Sequence, residues 1–263
     1  MLRRYRLQII ASAILALVVA LAVAIAFHAN PLSGADRSLL DWVVAHRSST
    51  GTAVIATVTY LFGPVWVAVA TVIVVAVFVV QDANAVRGVT VAVTVAVAGV
   101  LCAALKVAVD RPRPPFVDQA STYEVSGSFP SGHVTGTTAL VVATALAATV
   151  GSERMWRVVS VALALSVSVF AASTRVYLGL HWFSDVVAAV LLAAAVALVV
   201  PLLIPKFFGG IEPVVPQRLR PYLASPSGSG PVVHQSQENE RESRARLRKS
   251  PEHRGSVDIR RAG

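Results

Sequence analysis

The sequence predicts an all-α fold: a polytopic membrane protein whose six transmembrane helices form a bundle, followed by a disordered C-terminal tail. Two observations lead to this prediction. Apolar runs of about 20 residues, the length that crosses a bilayer as a helix, recur along the chain. Apolar residues make up 55% of the sequence and charged residues only 14%, whereas soluble proteins usually have about a quarter of their residues charged. A soluble globular fold is therefore excluded.

Hydropathy predicts the six spans in order. They cover residues 7–27, 53–80, 88–109, 133–150, 157–173 and 185–204. The first run, a predominantly apolar stretch of 21 residues, exceeds the roughly 7–15-residue apolar core of a signal peptide, so we expect it to be retained. The second run contains the sequence Phe62-Gly63-Pro64. Because proline interrupts a helix, residues 53–80 are predicted either to kink there or to begin with a separate short helix.

The segment between the first two spans has a helical pattern of its own. Leu39, Leu40, Val43 and Val44 are spaced as on one face of a helix, and Trp42 lies among them. Such a helix can lie in the membrane interface with the tryptophan at the level of the headgroups. It can equally be a loop helix packed on the bundle, and the sequence leaves both alternatives open.

Basic residues predict the orientation of the spans. They adjoin the N-terminus, the loop after span two, the loop after span four and the tail, at Arg3, Arg4, Arg6, Arg87, Arg154 and Arg157 and from Lys206 onward. With six spans these positions fall on one side, and basic loops are typical of the cytoplasmic side. We therefore expect a multi-pass protein of the plasma (cell) membrane with both termini in the cytoplasm.

The chain is predicted to consist of a membrane domain, residues 1–208, and a basic cytoplasmic tail, residues 209–263. The tail is rich in proline, glycine, serine and mixed charge, and it cannot bury enough apolar area to fold alone. From Lys206 onward it holds 11 basic and 6 acidic residues, and the net charge of the whole chain is +9. Because this charge is spread over the tail and the helix ends, it indicates contact with anionic lipid headgroups and not with nucleic acid. No pattern in the sequence fixes the oligomeric state.

Three polar clusters adjoin the predicted spans. They contain Lys106, Arg111 and Arg113; then Ser131, Gly132 and His133; then Arg175, His181 and Asp185. Each residue alone has an ordinary explanation, such as a snorkelling lysine, a helix cap or an interfacial arginine. Counting spans from a cytoplasmic N-terminus places all three clusters on the extracytoplasmic side. Their coincidence on one face predicts a shared site.

The residue types in these clusters are those of a phosphate site. Lys106, Arg113 and Arg175 supply three cations, and arginine can bind phosphate oxygens through two parallel N–H bonds. Ser131 and Gly132 precede a predicted helix, so backbone N–H groups and the helix dipole can face an anion.

The two histidines fit two different roles at such a site. His181 and Asp185 are four residues apart, which would place them on one face of a helix. A carboxylate that accepts one imidazole N–H leaves the other nitrogen with a lone pair, and this prepares the histidine as a nucleophile. His133 can then protonate the leaving oxygen. Because the two roles need opposite charge states, we expect a bell-shaped pH dependence. Arg111 is assigned no role.

These motifs resemble those of the type 2 phosphatidic acid phosphatase family, which shares its site with the vanadium haloperoxidases. The family has a lysine, six residues and Arg-Pro; then Pro-Ser-Gly-His; then Ser-Arg, five residues, His, three residues and Asp. Here the three motifs are Lys106–Pro114, Pro130–His133 and Thr174–Asp185. The resemblance covers roughly residues 50–204. It departs from the family at Thr174, which keeps the hydroxyl of the usual serine and adds a methyl group.

The resemblance implies a metal-independent lipid phosphate phosphatase that needs no cofactor. His181 would attack phosphorus to form a phosphohistidine, Asp185 would orient it, and His133 would be the general acid and then activate water. The residues implied to bind the phosphoryl oxygens are Lys106, Arg113, Ser131, Gly132 and Arg175.

The resemblance leaves the substrate and one part of the chemistry open. The implied substrates are membrane lipids, namely phosphatidic acid, phosphatidylglycerol phosphate or an isoprenoid diphosphate such as undecaprenyl diphosphate, and we lean towards the last. A lipid phosphotransferase that uses the same histidine is one alternative. A non-catalytic lipid-phosphate binder or a transporter is another, although substrate sites of transporters usually lie near the bilayer midplane and not at helix ends.

Overall fold

The computed structural model describes residues 2–82, 85–120 and 126–211. Its secondary structure in these ranges is entirely helical, with eight α-helices and two short 3-10 helices. The α-helices are α1 Leu2–Ala26, α2 Ser33–His46, α3 Ser49–Thr59, α4 Pro64–Asp82, α5 Val86–Val109, α6 Gly132–Ala148, α7 Arg154–Tyr177 and α8 Phe183–Ile211. The 3-10 helices are Tyr60–Phe62 and Phe116–Asp118. The all-α class predicted from the sequence is confirmed.

Five of these helices are long and apolar enough to cross a membrane. They are Arg4–Ala26 of α1, α4, α5, α7 and Phe183–Ile204 of α8. α6 is apolar but has only 17 residues, fewer than the roughly 20 that usually span the hydrocarbon core. The structure therefore supports a multi-pass membrane protein, and the sixth span at α6 stays a prediction.

The predicted span 53–80 is two helices and not one. α3 ends at Thr59, and Gly63 is extended, with φ −68° and ψ 157°. α4 then begins at Pro64, where the missing N–H of proline costs no helical hydrogen bond and its fixed φ suits the first turn. Of the two alternatives at this sequence, the separate short helix is the one observed.

The helix predicted between the first two spans is α2, and it packs on the bundle. Asp36, Leu40 and Val43 are buried, and Val43 belongs to a cluster with Val134 of α6. Trp42 lies on the opposite face and is 60% exposed. The packed-helix alternative is therefore confirmed, with the tryptophan on the face turned away from the bundle.

α6 and α8 form the centre of the bundle. No residue from Gly132 to Ala147 is exposed in α6, and none from Phe183 to Leu202 in α8. The outer helices, in contrast, expose large apolar side chains such as Val72. α6 packs on α4, α5, α7 and α8, and its many Ala, Gly and Thr residues allow close helix approach. At Gly136 an added Cβ would lie 3.4 Å from Cγ1 of Val67 on α4.

The end of the membrane domain differs slightly from the prediction. α8 continues to Ile211, three residues past the predicted boundary at residue 208. The rest of the predicted tail, residues 212–263, lies outside the described residues.

Candidate active site

The three motifs meet at one end of the bundle, which we call the site end. It consists of the C-terminus of α5, the N-terminus of α6 and the turn between α7 and α8. Backbone hydrogen bonds join these parts, from Ser131 N to Asp185 O at 3.4 Å and from Ala120 N to Leu178 O at 2.9 Å. Gly179 has a φ of +66°, and an added Cβ there would collide with the carbonyl oxygen of Asp118. This turn can therefore pack against the α5–α6 loop only because it contains glycine.

His181 and Asp185 are neighbours, but not through the helical spacing predicted from the sequence. α8 begins at Phe183, so His181 lies in the turn before it. Asp185 is in the first turn of α8, and its Oδ2 accepts the backbone N–H of Trp182 at 3.0 Å, as the acidic residue of a capping box does. The same oxygen lies 3.4 Å from Nδ1 of His181. The predicted pair therefore forms through a helix cap.

Arg113 determines which nitrogen of His181 carries the lone pair. Its Nη1 lies 3.2 Å from Nε2 of His181 and donates to Leu180 O at 2.7 Å. A guanidinium group can only donate, so Nε2 is the acceptor. In the neutral ring the proton is then on Nδ1, facing Asp185. The lone pair of the predicted nucleophile thus faces an arginine that is predicted to bind phosphate.

The charge state of His181 also suits a nucleophile. The side chain is 2% exposed, and burial lowers its pKa to about 4. Asp185 opposes this shift, while the positive charges of Arg175 and Arg113 add to it. At neutral pH His181 is therefore uncharged, which is the form that can attack an electrophile.

The start of α6 offers donors to an anion. Ser131 is the N-cap residue but its side chain makes no capping hydrogen bond, and its buried Oγ has no hydrogen-bond partner. Leaving a buried polar group unpaired costs about 1–3 kcal/mol. Lys106 passes over this helix start, since a Cβ added at Gly132 would lie 3.9 Å from its Cε. Its Nζ donates to Gly127 O at 2.6 Å.

Arg175 is supported by two threonines from different helices. It is 2% exposed, and its Nη1 donates to Thr59 Oγ1 at 3.3 Å. Thr59 Oγ1 lies 3.0 Å from Thr174 Oγ1, and the Thr174 hydroxyl donates to Ala171 O. Thr59 is therefore the donor to Thr174. The Thr174 hydroxyl, at the position of the family's serine, therefore contacts Thr59 of α3, which in turn accepts from Arg175. The sequence did not indicate this connection.

His133 is half-buried in the first turn of α6, beside the break between α3 and α4. A Cβ added at Gly63 would lie 3.5 Å from its Nε2. The Phe62-Gly63-Pro64 sequence thus ends one helix, begins another and leaves room for the predicted general acid.

Comparison with known proteins agrees with the motifs. The sequence model described as the PAP2 superfamily matches residues 87–208, a stretch that contains all three motifs. This stretch is similar to the PAP2 superfamily. The resemblance and the enzyme class predicted from the sequence, a phosphatase, are thereby confirmed at the level of the family.

A solved structure extends the PAP2 similarity to the fold. The crystal structure of a transmembrane PAP2 type phosphatidylglycerolphosphate phosphatase from Bacillus subtilis superimposes with a TM-score of 0.64 at 22% sequence identity. The match covers 79% of this chain and 98% of that one. A search of curated protein sequences gives no significant match. At this identity the structural likeness shows the shared fold.

Two residues to which sequence reasoning gave no role, Arg111 and Asp36, contact the candidate site. Arg111 donates from Nη1 to Asp185 Oδ1 at 2.5 Å and from Nη2 to Asp36 Oδ2 at 2.7 Å. Asp36 belongs to α2, outside the matched stretch, and is 3% exposed. Arg111 was visible as a charge inside the first motif. Nothing in the sequence indicated that an aspartate 75 residues earlier would be its partner.

Two cavities differ in their lining. A cavity of about 360 Å³ is lined by Arg111, Arg113, Gln119 and Gly127, among others. An apolar cavity of about 490 Å³ lies between α2, α7 and α8 and is lined by residues that include Trp42, Tyr177 and Phe183. The first offers charge and the second offers apolar surface.

Proposed function

We propose that this chain is a metal-independent lipid phosphate phosphatase that works through a phosphohistidine on His181. The observation that carries the proposal is the state of that ring. It is neutral, its Nδ1–H faces Asp185, and its Nε2 lone pair faces Arg113. Attack on a phosphoryl group requires a neutral imidazole with its lone pair directed at cations that can bind the phosphate, and Nε2 becomes available for the attack when Arg113 turns to the phosphoryl oxygens.

The proposed first step transfers the phosphoryl group to the protein. The phosphoryl oxygens bind Lys106, Arg113 and Arg175 together with the Ser131 hydroxyl and the N–H groups at the start of α6. Nε2 of His181 forms a bond to the terminal phosphorus while the bond from that phosphorus to the leaving oxygen breaks; this oxygen belongs to the lipid alcohol in a monoester and to the lipid monophosphate in a diphosphate. His133 donates a proton to that oxygen, and Asp185 stabilises the charged imidazole.

The second step restores the enzyme. His133, now neutral, accepts a proton from a water molecule as the water oxygen attacks phosphorus. The N–P bond breaks, inorganic phosphate leaves, and His181 regains its lone pair. The three site cations take the charge-stabilising role that Mg²⁺ has in many phosphoryl-transfer enzymes.

The substrate we propose is a membrane lipid that carries a phosphate monoester or a diphosphate. Phosphatidic acid, phosphatidylglycerol phosphate and an isoprenoid diphosphate such as undecaprenyl diphosphate all fit this chemistry. The apolar cavity between α2, α7 and α8 supports a substrate whose tails stay in lipid. The structurally similar protein from Bacillus subtilis is a phosphatidylglycerolphosphate phosphatase, which keeps phosphatidylglycerol phosphate among the candidates.

We further propose that the site faces the extracytoplasmic side of the cell membrane, with α6 as the sixth span and both termini in the cytoplasm. Supporting this orientation, Arg87 and Arg154 lie at the helix ends opposite to the site end. Arg87 pairs there with Asp82.

The test is phosphate release by the purified protein in detergent with EDTA present, on all three lipids. His181→Ala removes the proposed nucleophile, and His46→Ala is the matched control because His46 is an exposed histidine of α2. We expect release that survives EDTA, is lost in His181→Ala by a factor of ~10⁴ or more, and persists in His46→Ala.

Three outcomes would contradict the proposal. Activity that EDTA removes and a divalent metal restores rules out metal independence. Activity that persists in His181→Ala rules out the phosphohistidine. Folded protein that releases no phosphate, but moves it to a second lipid, is a phosphotransferase.

A further inference from the structure

We propose that Arg111, anchored by Asp36, is a positioning residue that holds the Asp185 carboxylate in the orientation His181 needs. This inference rests on the proposed function and adds α2 to the machinery of the site. The side-chain hydrogen bonds of Arg111 go to Ser184, Asp185 and Asp36 and not to His181. Its effect on catalysis passes through Asp185.

The Asp185 carboxylate is held from both sides. The side chain is fully buried, and Oδ1 accepts from Arg111 while Oδ2 accepts from Trp182 N and faces His181. A buried carboxylate needs charged or hydrogen-bonded partners for each oxygen. Without Arg111, Oδ1 would lose its ionic partner, and the carboxylate would no longer be fixed with Oδ2 towards Nδ1.

Arg111 is suited to this task by its planar fork. Nη1 reaches Asp185 and Ser184 Oγ, the latter at 2.7 Å, and Nη2 reaches Asp36 at 2.7 Å. The guanidinium group also lies over the ring of Trp182, whose centre is 5.4 Å from the guanidinium carbon. A lysine has one ammonium group and cannot bridge two carboxylates in fixed directions.

Asp36 in turn is fixed by contacts from three elements. Its Oδ1 accepts Ser184 N at 2.7 Å, and its Oδ2 accepts Ser184 Oγ at 2.7 Å and Asn30 Nδ2 at 2.8 Å, besides Arg111. The carboxylate therefore ties α2 to the first turn of α8, the same turn that contains Asp185. Polar contacts therefore connect α2 with the proposed nucleophile, in the order Asp36, Arg111, Asp185 and His181.

A purely structural role is the competing explanation, in which Asp36 only docks α2 onto α8 through Ser184. The two explanations differ in coupling. If Asp36 acts on catalysis through Arg111, its removal matters only while Arg111 is present. If it acts as a dock, its removal costs the same with or without Arg111.

The experiment measures kcat and KM for phosphate release, with thermal midpoints, for Arg111→Met, Arg111→Lys, Asp36→Asn and the double variant Asp36→Asn/Arg111→Met. Arg87→Met is the matched control, because Arg87 pairs with Asp82 at the opposite end of the bundle. We expect Arg111→Met to lower kcat by roughly a hundredfold and Asp36→Asn by roughly tenfold, with KM within about twofold, and Arg111→Lys to restore little. In the Arg111→Met background, Asp36→Asn should cost less than about twofold.

The inference is overturned if Asp36→Asn costs the same tenfold in both backgrounds, or if Arg111→Lys restores the wild-type kcat. A failure of the proposed function looks different, because the wild-type protein then releases no phosphate at all. In that case the NMR resonance of the Nδ1 proton of His181 tests whether Arg111 and Asp36 act on the His181–Asp185 pair. It should shift in Arg111→Met and Asp36→Asn but not in Arg87→Met, and an unchanged resonance in all three overturns the inference.

Discussion

The contacts on the two sides of the His181–Asp185 pair differ in the charge of the partners. We call the side of Asp185 that faces Arg111 the rear, and the side of His181 that faces Arg113 the front. Behind it, Asp185 meets Arg111, whose other end meets Asp36, so the contacts join opposite charges with side chains at most 10% exposed. In front of it, Arg113 and Lys106 donate to backbone carbonyl oxygens of Leu180 and Gly127. Coulomb attraction makes an anionic oxygen a stronger acceptor for these cations than a neutral carbonyl oxygen. A phosphate can therefore compete for these two carbonyl contacts, whereas the rear contacts of Arg111 already join opposite charges.

Among the substitutions that test the difference between front and rear contacts, the one at Arg113 should have the largest effect on activity. Arg113→Ala should lower kcat/KM by roughly 10²–10³-fold, because a donor to the developing charge is lost, and KM should rise as well. This differs from the rear-side Arg111→Met, for which KM should stay constant. Steady-state kinetics on one lipid substrate separates the two. If Arg113→Lys were as active as the wild type, the paired N–H geometry would be irrelevant and the front side would be only a positive field.

Ser131 is a front-side residue whose substitution should lower activity without lowering stability. Its buried Oγ has no partner in the unliganded site, so Ser131→Ala should leave the thermal midpoint unchanged or slightly raised. It should lower kcat/KM by roughly tenfold, because a hydrogen bond to a charged group is lost in the transition state. Thermal unfolding and kinetics on the same preparation check this. A midpoint several degrees lower would show that the hydroxyl has a structural partner instead.

A smaller effect is expected at Thr174, which belongs to neither side directly. Thr174→Val removes the hydroxyl that accepts from Thr59 and should lower kcat/KM about fivefold, the equivalent of one hydrogen bond of about 1 kcal/mol. Thr174→Ser restores the family's residue and should stay within about twofold of the wild type. Relative rates on the three lipids give the readout. A change in substrate preference in Thr174→Ser would mean that the methyl group, which is buried here, reaches the substrate after all.

The smallest effect is expected in the pH profile, where kcat/KM should show no decrease due to His181 between pH 7 and pH 5. With a pKa of about 4, His181 is neutral at pH 5, so its titration should leave kcat/KM nearly constant between pH 7 and 5. A histidine of ordinary pKa would lose roughly thirtyfold over that range. Comparing two lipids separates enzyme from substrate titration, and an acid limb near pH 6.5 common to both would show that His181 is not shifted.

Sequence reasoning could propose the candidate site residues because the chemistry expected of them depends on residue type and spacing. Lys106 and Arg113 are recognisable in a single line of sequence, and so are His133 and His181. The local geometry was less accessible. The spacing of His181 and Asp185 suggested a helix, but the helix starts between them, because a carboxylate three residues after Trp182 caps it.

Contacts between distant segments could not be predicted in the same way. Asp36 occurs in an amphipathic stretch where a charged residue is ordinary, and only the packing of α2 on α8 makes it a buried partner of Arg111. The central position of α6 was likewise hidden, because hydropathy averages treat lipid-facing and protein-facing apolar residues alike. Its small residues were the available signal, and its length of 17 residues was shorter than the predicted span.

The enclosure of α6 has a mechanical consequence. A helix of 17 residues is about 25 Å long, while the hydrocarbon core is about 30 Å thick. A membrane helix that is shorter than the hydrocarbon core usually thins the bilayer around it. A helix that its neighbours shield from lipid does not have to match the bilayer thickness in this way. We therefore expect the outer helices to absorb differences in bilayer thickness, while α6 and α8 keep Ser131, His133 and Asp185 in register. The membrane can deform around this protein without deforming its chemistry.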